Sequence, residues 1–104
     1  MRTVYRYEDR NGLGPFNHEG LNRMMAQLPT PRDVGMNHRR GWRYGGESII
    51  DLNNYFGSYT RILEQHGYEL VRYDVADDAV IGSEGQVMFN PTQTINRVNL
   101  DAEE

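Results

Sequence analysis

The sequence contains no cysteine and no lysine. Without cysteine, disulfide bonds, thiolate catalysis and cysteine-based zinc sites are excluded. Without lysine, P-loop phosphate binding, Schiff-base catalysis and pyridoxal-phosphate catalysis are excluded as well. All eleven basic residues are therefore arginines. Their planar guanidinium groups can bind phosphate or carboxylate through two parallel hydrogen bonds.

Long apolar runs are absent too. No stretch approaches the roughly 18 residues that a membrane span needs. The first ten residues, MRTVYRYEDR, have no apolar core, so we expect no signal peptide. The mean hydropathy is −0.77 and the formal net charge is −4. These values predict a polar surface, and the absence of cysteine and of an apolar leader predicts a cytoplasmic location.

The chain has 104 residues, of which 38% are hydrophobic. This size and composition predict a single domain over residues 1–100, followed by a frayed acidic tail at 101–104. Apolar alternation and helical spacing define its elements. In segment 47–56, Ile49, Leu52 and Phe56 line one apolar stripe, with Ile50 beside it. The predicted elements are strand 3–8, helix 18–28 capped by Asn17, helices 47–56 and 58–66, strands 68–76 and 86–90, a short strand at 79–81 and an edge strand at 95–100.

Residues 29–46 have little apolar periodicity and are expected to form a long central loop. Strands cluster late in the chain, with the helices between them. This order predicts an α+β fold with a small, largely antiparallel sheet and two or three short helices.

The stretch HRRGWRYGG, residues 38–46, concentrates cations and the only tryptophan of an acidic chain. Guanidinium groups bind anionic oxygens, aromatic rings stack on bases or hold cations, and glycines let backbone N–H groups approach a phosphate. We therefore predict a ligand or partner site here, with insertion of Trp42 into the core as the alternative. The candidate residues are His38, Arg39, Arg40, Trp42, Arg43 and Tyr44.

Arg6 lies in the middle of the first predicted strand, on the face that carries Val4 and Glu8. A charged side chain there is costly if it is buried without a partner. Two arrangements remain open. Arg6 pairs with Glu8 or Glu69, or it points into a ligand cleft.

The segment GSEGQ, residues 82–86, places Glu84 and Gln86 just ahead of a strand. Two positions apart in an extended chain, both side chains project in the same direction and could reach one ligand. The carboxylate of Glu84 could stabilise a ribosyl cation or orient a nucleophile. A solvated turn is the alternative.

Three carboxylates, those of Asp74, Asp77 and Asp78, lie at the end of a predicted strand. Clustered carboxylates can occupy sites meant for phosphates, so they suit a basic partner, and a divalent cation is the alternative. The three histidines share no metal-ligand spacing, and we predict no metal site. The acidic balance argues against broad binding to nucleic-acid duplexes.

Three segments resemble small proteins of phages and prophages: VYRYED…GLGPF, GGESIIDLNNYFG and GYELVRYDVADDAVIGSEGQVMFNP. The resemblance implies an accessory protein of the host cytoplasm that uses no cofactor and binds and inhibits a host defence complex, as anti-CRISPR proteins do. The loop 38–46 and the acidic turn 74–78 would contact this host protein complex. Neither a membrane nor sequence-specific nucleic acid is an expected partner.

The layout is also similar in outline to compact ADP-ribosyltransferase-like folds, which some anti-CRISPR proteins use. This analogy implies an enzyme with NAD as its cofactor. Arg6 would contact the phosphate or ribose of NAD, and Ser48 would support the nicotinamide site. Tyr44 or Tyr55 would stack on nicotinamide, and segment 84–86 would supply the residue that promotes its loss.

A third hypothesis is that the protein is a homo-oligomeric structural or assembly protein of the virion. Its predicted edge strand, residues 95–100, would pair between copies of the chain. Whether the chain is an enzyme therefore stays open at the level of the sequence.

Overall fold

The structure is a computed structural model and describes residues 1–26, 28, 39–83 and 85–101. These residues form an α+β fold with one open antiparallel sheet of six strands and three α-helices, which confirms the predicted fold class. The sheet order is β4-β5-β2-β1-β3-β6. The strands are β1 (Arg2–Glu8), β2 (Arg43–Gly46), β3 (Glu69–Val75), β4 (Val80–Ser83), β5 (Gln86–Phe89) and β6 (Thr94–Asn99).

The three helices lie on the face of the sheet to which Tyr7 points. They are α1 (Glu19–Met24), α2 (Ile49–Phe56) and α3 (Tyr59–Gln65). The rings of Tyr7 and Phe56 meet edge to face with centroids 5.7 Å apart, a favoured arrangement for aromatic pairs. The core cluster on this face contains Tyr7, Leu21, Met25, Leu52, Phe56, Leu63 and Tyr68.

Side chains cap two of these helices. His18 Nδ1 accepts a hydrogen bond from the N–H of Leu21 at 3.2 Å, and Ser48 Oγ accepts one from the N–H of Asp51 at 3.0 Å. The prediction that Asn17 caps the first helix is wrong, because the chain is still in a 3₁₀ turn at that residue. Helix α1 is accordingly shorter than the predicted segment.

The opposite face of the sheet is concave. The rings of Tyr73 on β3 and Phe89 on β5 lie 4.9 Å apart, although β1 and β2 separate these strands. In a flat sheet, three strand spacings would separate them by about 14 Å. The sheet must therefore curl, and its concavity encloses a second core cluster. This cluster contains Val4, Val71, Tyr73, Val75, Val80, Val87 and Phe89.

The alternation predicted for the first strand is confirmed. Val4 pairs with Tyr73 in the register between β1 and β3, so Arg6 and Glu8 point to the same concave face as Val4. Tyr7 points to the helices, where it is buried. One strand thus supplies both an apolar anchor to the helical face and two charges to the concave face.

Two glycines allow β2 to lie close to its neighbours. A Cβ on Gly45 would stand 2.4 Å from Val4 Cγ1 and 2.6 Å from the carbonyl oxygen of Tyr5. A Cβ on Gly46 would stand 3.2 Å from the Cβ of Leu52 on α2. Larger residues here would push β2 away from β1 and α2, so the sequence GG fixes how closely these three elements pack.

Two local expectations are wrong. Residues 43–46, expected to lie in a long loop, form β2 because they pair with β5 over four residues. Ile49 and Ile50, expected to extend the apolar stripe of the second helix, are exposed, whereas Leu52 and Phe56 are buried. Residues 29–38 of the expected loop lie outside the described residues.

Every helix within these described ranges falls short of the length and apolarity that crossing a membrane requires.

Candidate ligand-binding site

Glu8 lies at the centre of a polar network on the concave face. Its side chain is 1% exposed. The carboxylate accepts hydrogen bonds from Arg97 Nη2 at 2.8 Å on one oxygen, and from Tyr73 Oη at 2.5 Å and Arg43 Nη1 at 3.3 Å on the other. Arg6 Nε is 2.9 Å from the second oxygen. We refer to Arg6, Arg43 and Arg97, with Glu8 and Tyr73, as the guanidinium cluster.

Arg6 is the most buried cation of the cluster. Its Nε forms an ion pair with Glu8 without an aligned hydrogen bond, since this N–H has no hydrogen-bond partner within the described residues. Its Nη1 donates a long hydrogen bond of 3.5 Å to the carbonyl oxygen of Tyr44. Burial lowers the pKa of Arg6, and the charge of Glu8 opposes that shift. Arg6 thus pairs with Glu8, which is one of the two arrangements that the sequence left open.

The hydroxyl of Tyr73 links the cluster together. It donates to Glu8 and accepts from Arg43 Nη1 at 3.1 Å and from Arg97 Nε at 3.3 Å. Burial raises the pKa of Tyr73, and its hydrogen bond to Glu8 acts in the same direction. The phenol therefore stays protonated at neutral pH and accepts hydrogen bonds from two guanidinium groups that also contact the carboxylate.

The cluster has more positive than negative charge. One carboxylate faces three guanidinium groups, which leaves an excess of two positive charges. The side chains of Arg43 and Arg97 are 39% and 44% exposed, whereas that of Arg6 is 9% exposed. Two of the cations are therefore accessible to an anion from solution, while Glu8 and Tyr73 hold them in place.

A pocket of about 440 Å³ opens beside the cluster, between β1 and β2. Within the described part of the chain the ladder joining these strands has one residue pair, Tyr5 with Gly46. By contrast, β1 pairs with β3 over seven residues. Where the β1–β2 ladder ends, side chains of both strands line the pocket. We refer to this space as the inter-strand pocket.

The lining of the inter-strand pocket combines aromatic rings with cations. Its aromatic residues are Tyr7, Trp42, Tyr44, Tyr55 and Phe56. Its cations are Arg6 and Arg43, and its other polar side chains include Asn17, Asp51 and Gln86. Apolar walls with a few placed polar groups are typical of small-molecule sites, whose volumes run from about 300 to 1,000 Å³.

A turn after β1 forms one rim of the pocket. Asp9 Oδ1 accepts hydrogen bonds from the N–H groups of Asn11 at 2.8 Å and Leu13 at 3.0 Å, which fixes the turn. Gly14 follows and lies against Arg6, since a Cβ there would stand 2.8 Å from Arg6 Nη2. The absence of a side chain at Gly14 therefore gives the buried guanidinium its space.

The structure gathers several of the sequence-predicted residues at this pocket: Arg6, Trp42, Arg43, Tyr44 and Gln86. Trp42 is half-buried and belongs to neither core cluster. Arg39 lies over its ring at 4.9 Å, and Arg40 is exposed. Ser48 is the N-cap of α2 and does not line the pocket. His38 and Glu84 lie outside the described residues.

The acidic residues predicted to contact a partner are elsewhere, around the end of β3. Asp74 is buried and accepts hydrogen bonds from Thr3 Oγ1 at 2.9 Å and Asn96 Nδ2 at 3.4 Å. Asp77 pairs with the amino group of Met1. Asp78 is exposed. Two of the three carboxylates thus have partners within the chain.

Tyr73 and Arg97 are the parts of the site that the sequence reasoning missed. Alternation could have placed Tyr73 on the buried face of its strand, but nothing local pairs that strand with β1. Arg97 reaches Glu8 only because β6 lies beside β3 in the sheet. Of the described residues, no three His, Asp or Glu side chains are grouped so that they could hold a metal ion.

Comparison with known proteins identifies a family. A family model described as Bacteriophage T4 Y00F protein matches residues 1–101. Neither a curated protein nor a solved structure matches the chain. The match supports the predicted resemblance to small phage proteins, and it provides no support for a resemblance to ADP-ribosyltransferases.

Proposed function

Because the chain belongs to the Bacteriophage T4 Y00F protein family, we propose that it is a phage accessory protein that binds a small molecule in the host cytoplasm. The ligand has a planar ring and an anionic group. The inter-strand pocket carries this proposal, since its aromatic residues can stack on the ring while Arg43 faces the anion.

Charge and packing make this ligand class favourable. Glu8 and Tyr73 already hold Arg43, so a bound anion meets a cation that has lost much of its side-chain freedom. Binding to a pre-ordered group costs less conformational entropy than ordering a free arginine. The half-buried position of Arg43 also reduces competition from water compared with a surface cation.

The test is titration followed by the fluorescence of Trp42, the single tryptophan of the chain, with calorimetry in parallel. The compounds are nucleoside monophosphates, NAD⁺, ADP-ribose and indole-3-carboxylate. We expect micromolar binding of at least one of them, and about tenfold or greater weakening in Arg43→Gln, since a hydrogen bond to a charged group contributes about 1.5–3 kcal/mol.

Arg61→Gln provides the matched control. Arg61 is exposed on α3 and does not line the inter-strand pocket. Its loss should leave affinity within about twofold of the wild type, because surface substitutions change free energies by about 0.5 kcal/mol or less. Absence of heat and of fluorescence change up to millimolar concentrations of all these compounds would refute the proposal.

An NAD-dependent ADP-ribosyltransferase is a second candidate, favoured by one observation. Arg6, Tyr44, Tyr55 and Gln86 line the same pocket, as that analogy requires. The carboxylate among the described lining residues is Asp51, and Ser48 caps a helix instead of facing the pocket. Two results together would support this candidate over simple binding. The wild type would bind NAD⁺ and release nicotinamide from it, and Arg6→Gln would no longer bind NAD⁺.

Inhibition of a host defence complex and assembly of the virion stay predictions. For the first, Asp77 and Asp78 are the exposed members of the acidic turn, and Asp78→Arg should weaken capture of a basic partner. For the second, β6 lies at the edge of the sheet, where pairing between copies would occur. Light scattering at high concentration would report such pairing.

A further inference from the structure

Building on the proposed function, we infer that the ring of the ligand carries a 2-amino-4-oxopyrimidine edge, which guanine and pterins share. Two polar side chains of the inter-strand pocket, the carboxylate of Asp51 and the amide of Gln86, point to this edge. The anionic group of the ligand lies at the other end of the pocket, where the proposed function assigns it to Arg43. Either a phosphate or a carboxylate can serve as that group.

Asp51 lies where α2 meets the turn between β4 and β5. Its N–H donates to Ser48 Oγ at 3.0 Å in the first turn of the helix. Its side chain lies against Gly85, since a Cβ on that glycine would stand 3.1 Å from Asp51 Cγ. The N–H of Glu47 donates to the carbonyl oxygen of Gly85 at 3.1 Å, which joins the turn to the start of α2. The carboxylate therefore has a defined position in the wall of the pocket.

Gln86 projects to the same side of the sheet as α2. Its neighbour Val87 belongs to the concave core cluster, so alternation along β5 turns Gln86 to the opposite face. Gln86 also pairs with Gly46, which packs against α2. Because Gln86 directly follows Gly85 in the chain, its amide and the carboxylate of Asp51 lie on adjoining parts of the pocket wall.

Both polar groups are open to a ligand. Within the described residues, the carboxylate of Asp51 and the amide of Gln86 have no hydrogen-bond or ion-pair partner, and both residues are half-buried. Arg43 pairs with Glu8 instead, at the far end of β2. Three residue steps of that strand, about 10 Å, separate Arg43 from Gly46, against which α2 packs. The inter-strand pocket thus has a negative end and a positive end.

The two groups together select an edge with two adjacent donors and one acceptor. A carboxylate only accepts hydrogen bonds, through two oxygens, whereas the amide of a glutamine also donates. Guanine and pterins present N–H and NH₂ donors side by side for Asp51, and a carbonyl oxygen next to them for the amide of Gln86. Adenine and cytosine have an acceptor nitrogen in place of that N–H, and a carboxylate repels it. Uracil and thymine have no NH₂ group.

An aromatic ring stands beside the carboxylate. Tyr55 follows Asp51 by four residues on α2, so the two side chains lie on the same face of the helix, and both line the pocket. The ring of Tyr55 can therefore stack on a ring whose edge Asp51 binds. The volume of about 440 Å³ lies within the range of small-molecule sites and accommodates a bicyclic ring with an acidic substituent.

The experiment compares ligands that differ in one group. Guanosine 5′-monophosphate is titrated beside inosine 5′-monophosphate, which lacks only the 2-amino group, and beside adenosine 5′-monophosphate. 6-Carboxypterin is titrated beside 6-carboxylumazine, which has an oxygen in place of that amino group. The amino compound of at least one pair should bind about tenfold or more tightly than its partner, because it adds a hydrogen bond to a charged group. Calorimetry measures the dissociation constants, and the pair that shows the preference identifies the source of the ring.

Variants then assign the preference to Asp51 and Gln86. Asp51→Asn keeps the shape but replaces one acceptor with a donor, so the preference for the 2-amino group should fall to about twofold or less. The same variant should bind the 2-oxo compounds, xanthosine 5′-monophosphate and 6-carboxylumazine, more tightly than the wild type does. Gln86→Met, which loses the donor to the carbonyl oxygen, should weaken binding of the amino compound about threefold or more. Glu64→Gln is the matched control, since Glu64 is exposed on α3 and does not line the pocket, and it should change no affinity.

The outcomes separate this inference from the proposed function. If ligands bind but neither amino compound binds more tightly than its partner, or indole-3-carboxylate binds as tightly as both, the inference is overturned while the pocket keeps its ligand class. An unchanged preference in Asp51→Asn, shown to be folded by circular dichroism, also overturns it. If that variant does not fold, an unchanged affinity in Gln86→Met overturns it instead. If none of the compounds binds, both proposals fail.

Discussion

Removal of the charge of Glu8 is the most informative perturbation of this fold. In Glu8→Gln the side chain keeps nearly the same shape, but three guanidinium groups lose their shared counter-ion. One oxygen can still accept a hydrogen bond. The new NH₂ group points donors at arginine donors, so at least one contact in the network becomes repulsive.

The magnitude follows mainly from Arg6. Its side chain is 9% exposed, so in the variant it is a buried cation without a carboxylate. Breaking a buried ion pair by removing one partner costs about 3–5 kcal/mol. Arg43 and Arg97 can move toward water, and they add little. We therefore expect the free energy of unfolding to fall by about 3–5 kcal/mol, a large part of the roughly 5–15 kcal/mol typical of a domain.

Urea denaturation followed by circular dichroism measures this loss. Glu64→Gln is the control, because Glu64 is exposed on α3, and we expect a change within about 0.5 kcal/mol. In the double variant Glu8→Gln with Arg6→Met, the buried charge is gone, so much of the lost stability should return. A loss below about 1 kcal/mol in Glu8→Gln, or no recovery in the double variant, would refute this account of the cluster.

Three further predictions concern the packing of β2, a helix cap and the buried phenol. Gly45→Ala should destabilise the fold by about 3 kcal/mol or more, or prevent folding, because its Cβ would lie 2.4 Å from a methyl group of Val4; thermal unfolding measures the effect. Ser48→Ala should cost about 1 kcal/mol in urea denaturation, whereas Ser58→Ala should cost less, since Ser58 precedes α3 without a side-chain capping bond. The raised pKa of Tyr73 means that unfolded chains lose this proton first, so stability is fully present below about pH 10 and is lost as the pH rises further. Tyr73→Phe should make that loss smaller, and an identical pH profile would contradict the prediction.

Local patterns in the sequence predicted the elements in which the buried residues follow the periodicity of the strand or helix itself. Alternation placed Val4 and Glu8 on one face of β1, and helical spacing placed Leu52 and Phe56 in the core. Strand β2 was not predicted because RYGG contains few strand-forming residues. It becomes a strand through pairing with β5, a contact that no local pattern encodes.

The candidate site, too, was predicted only in part from the sequence. Arg6 and the loop around Trp42 stood out by composition, and the structure brings them to one pocket. Arg97 gave no signal, because its role depends on β6 lying two strands from β1. Ile49 was expected on the apolar stripe with Ile50 beside it, but in the first turn of α2 they are 37% and 72% exposed.

The single residue pair between β1 and β2 divides the sheet into two three-stranded halves, β4-β5-β2 and β1-β3-β6. Side chains bridge them through Arg43 and Glu8 and through Arg6 and the carbonyl of Tyr44. A ligand in the pocket would contact both halves at the place where β1 and β2 are not paired with each other. The free energy of ligand binding would then stabilise the association of the two halves of the sheet. Amide hydrogen exchange would then slow in β1 and β2 together, because the bound molecule contacts both strands.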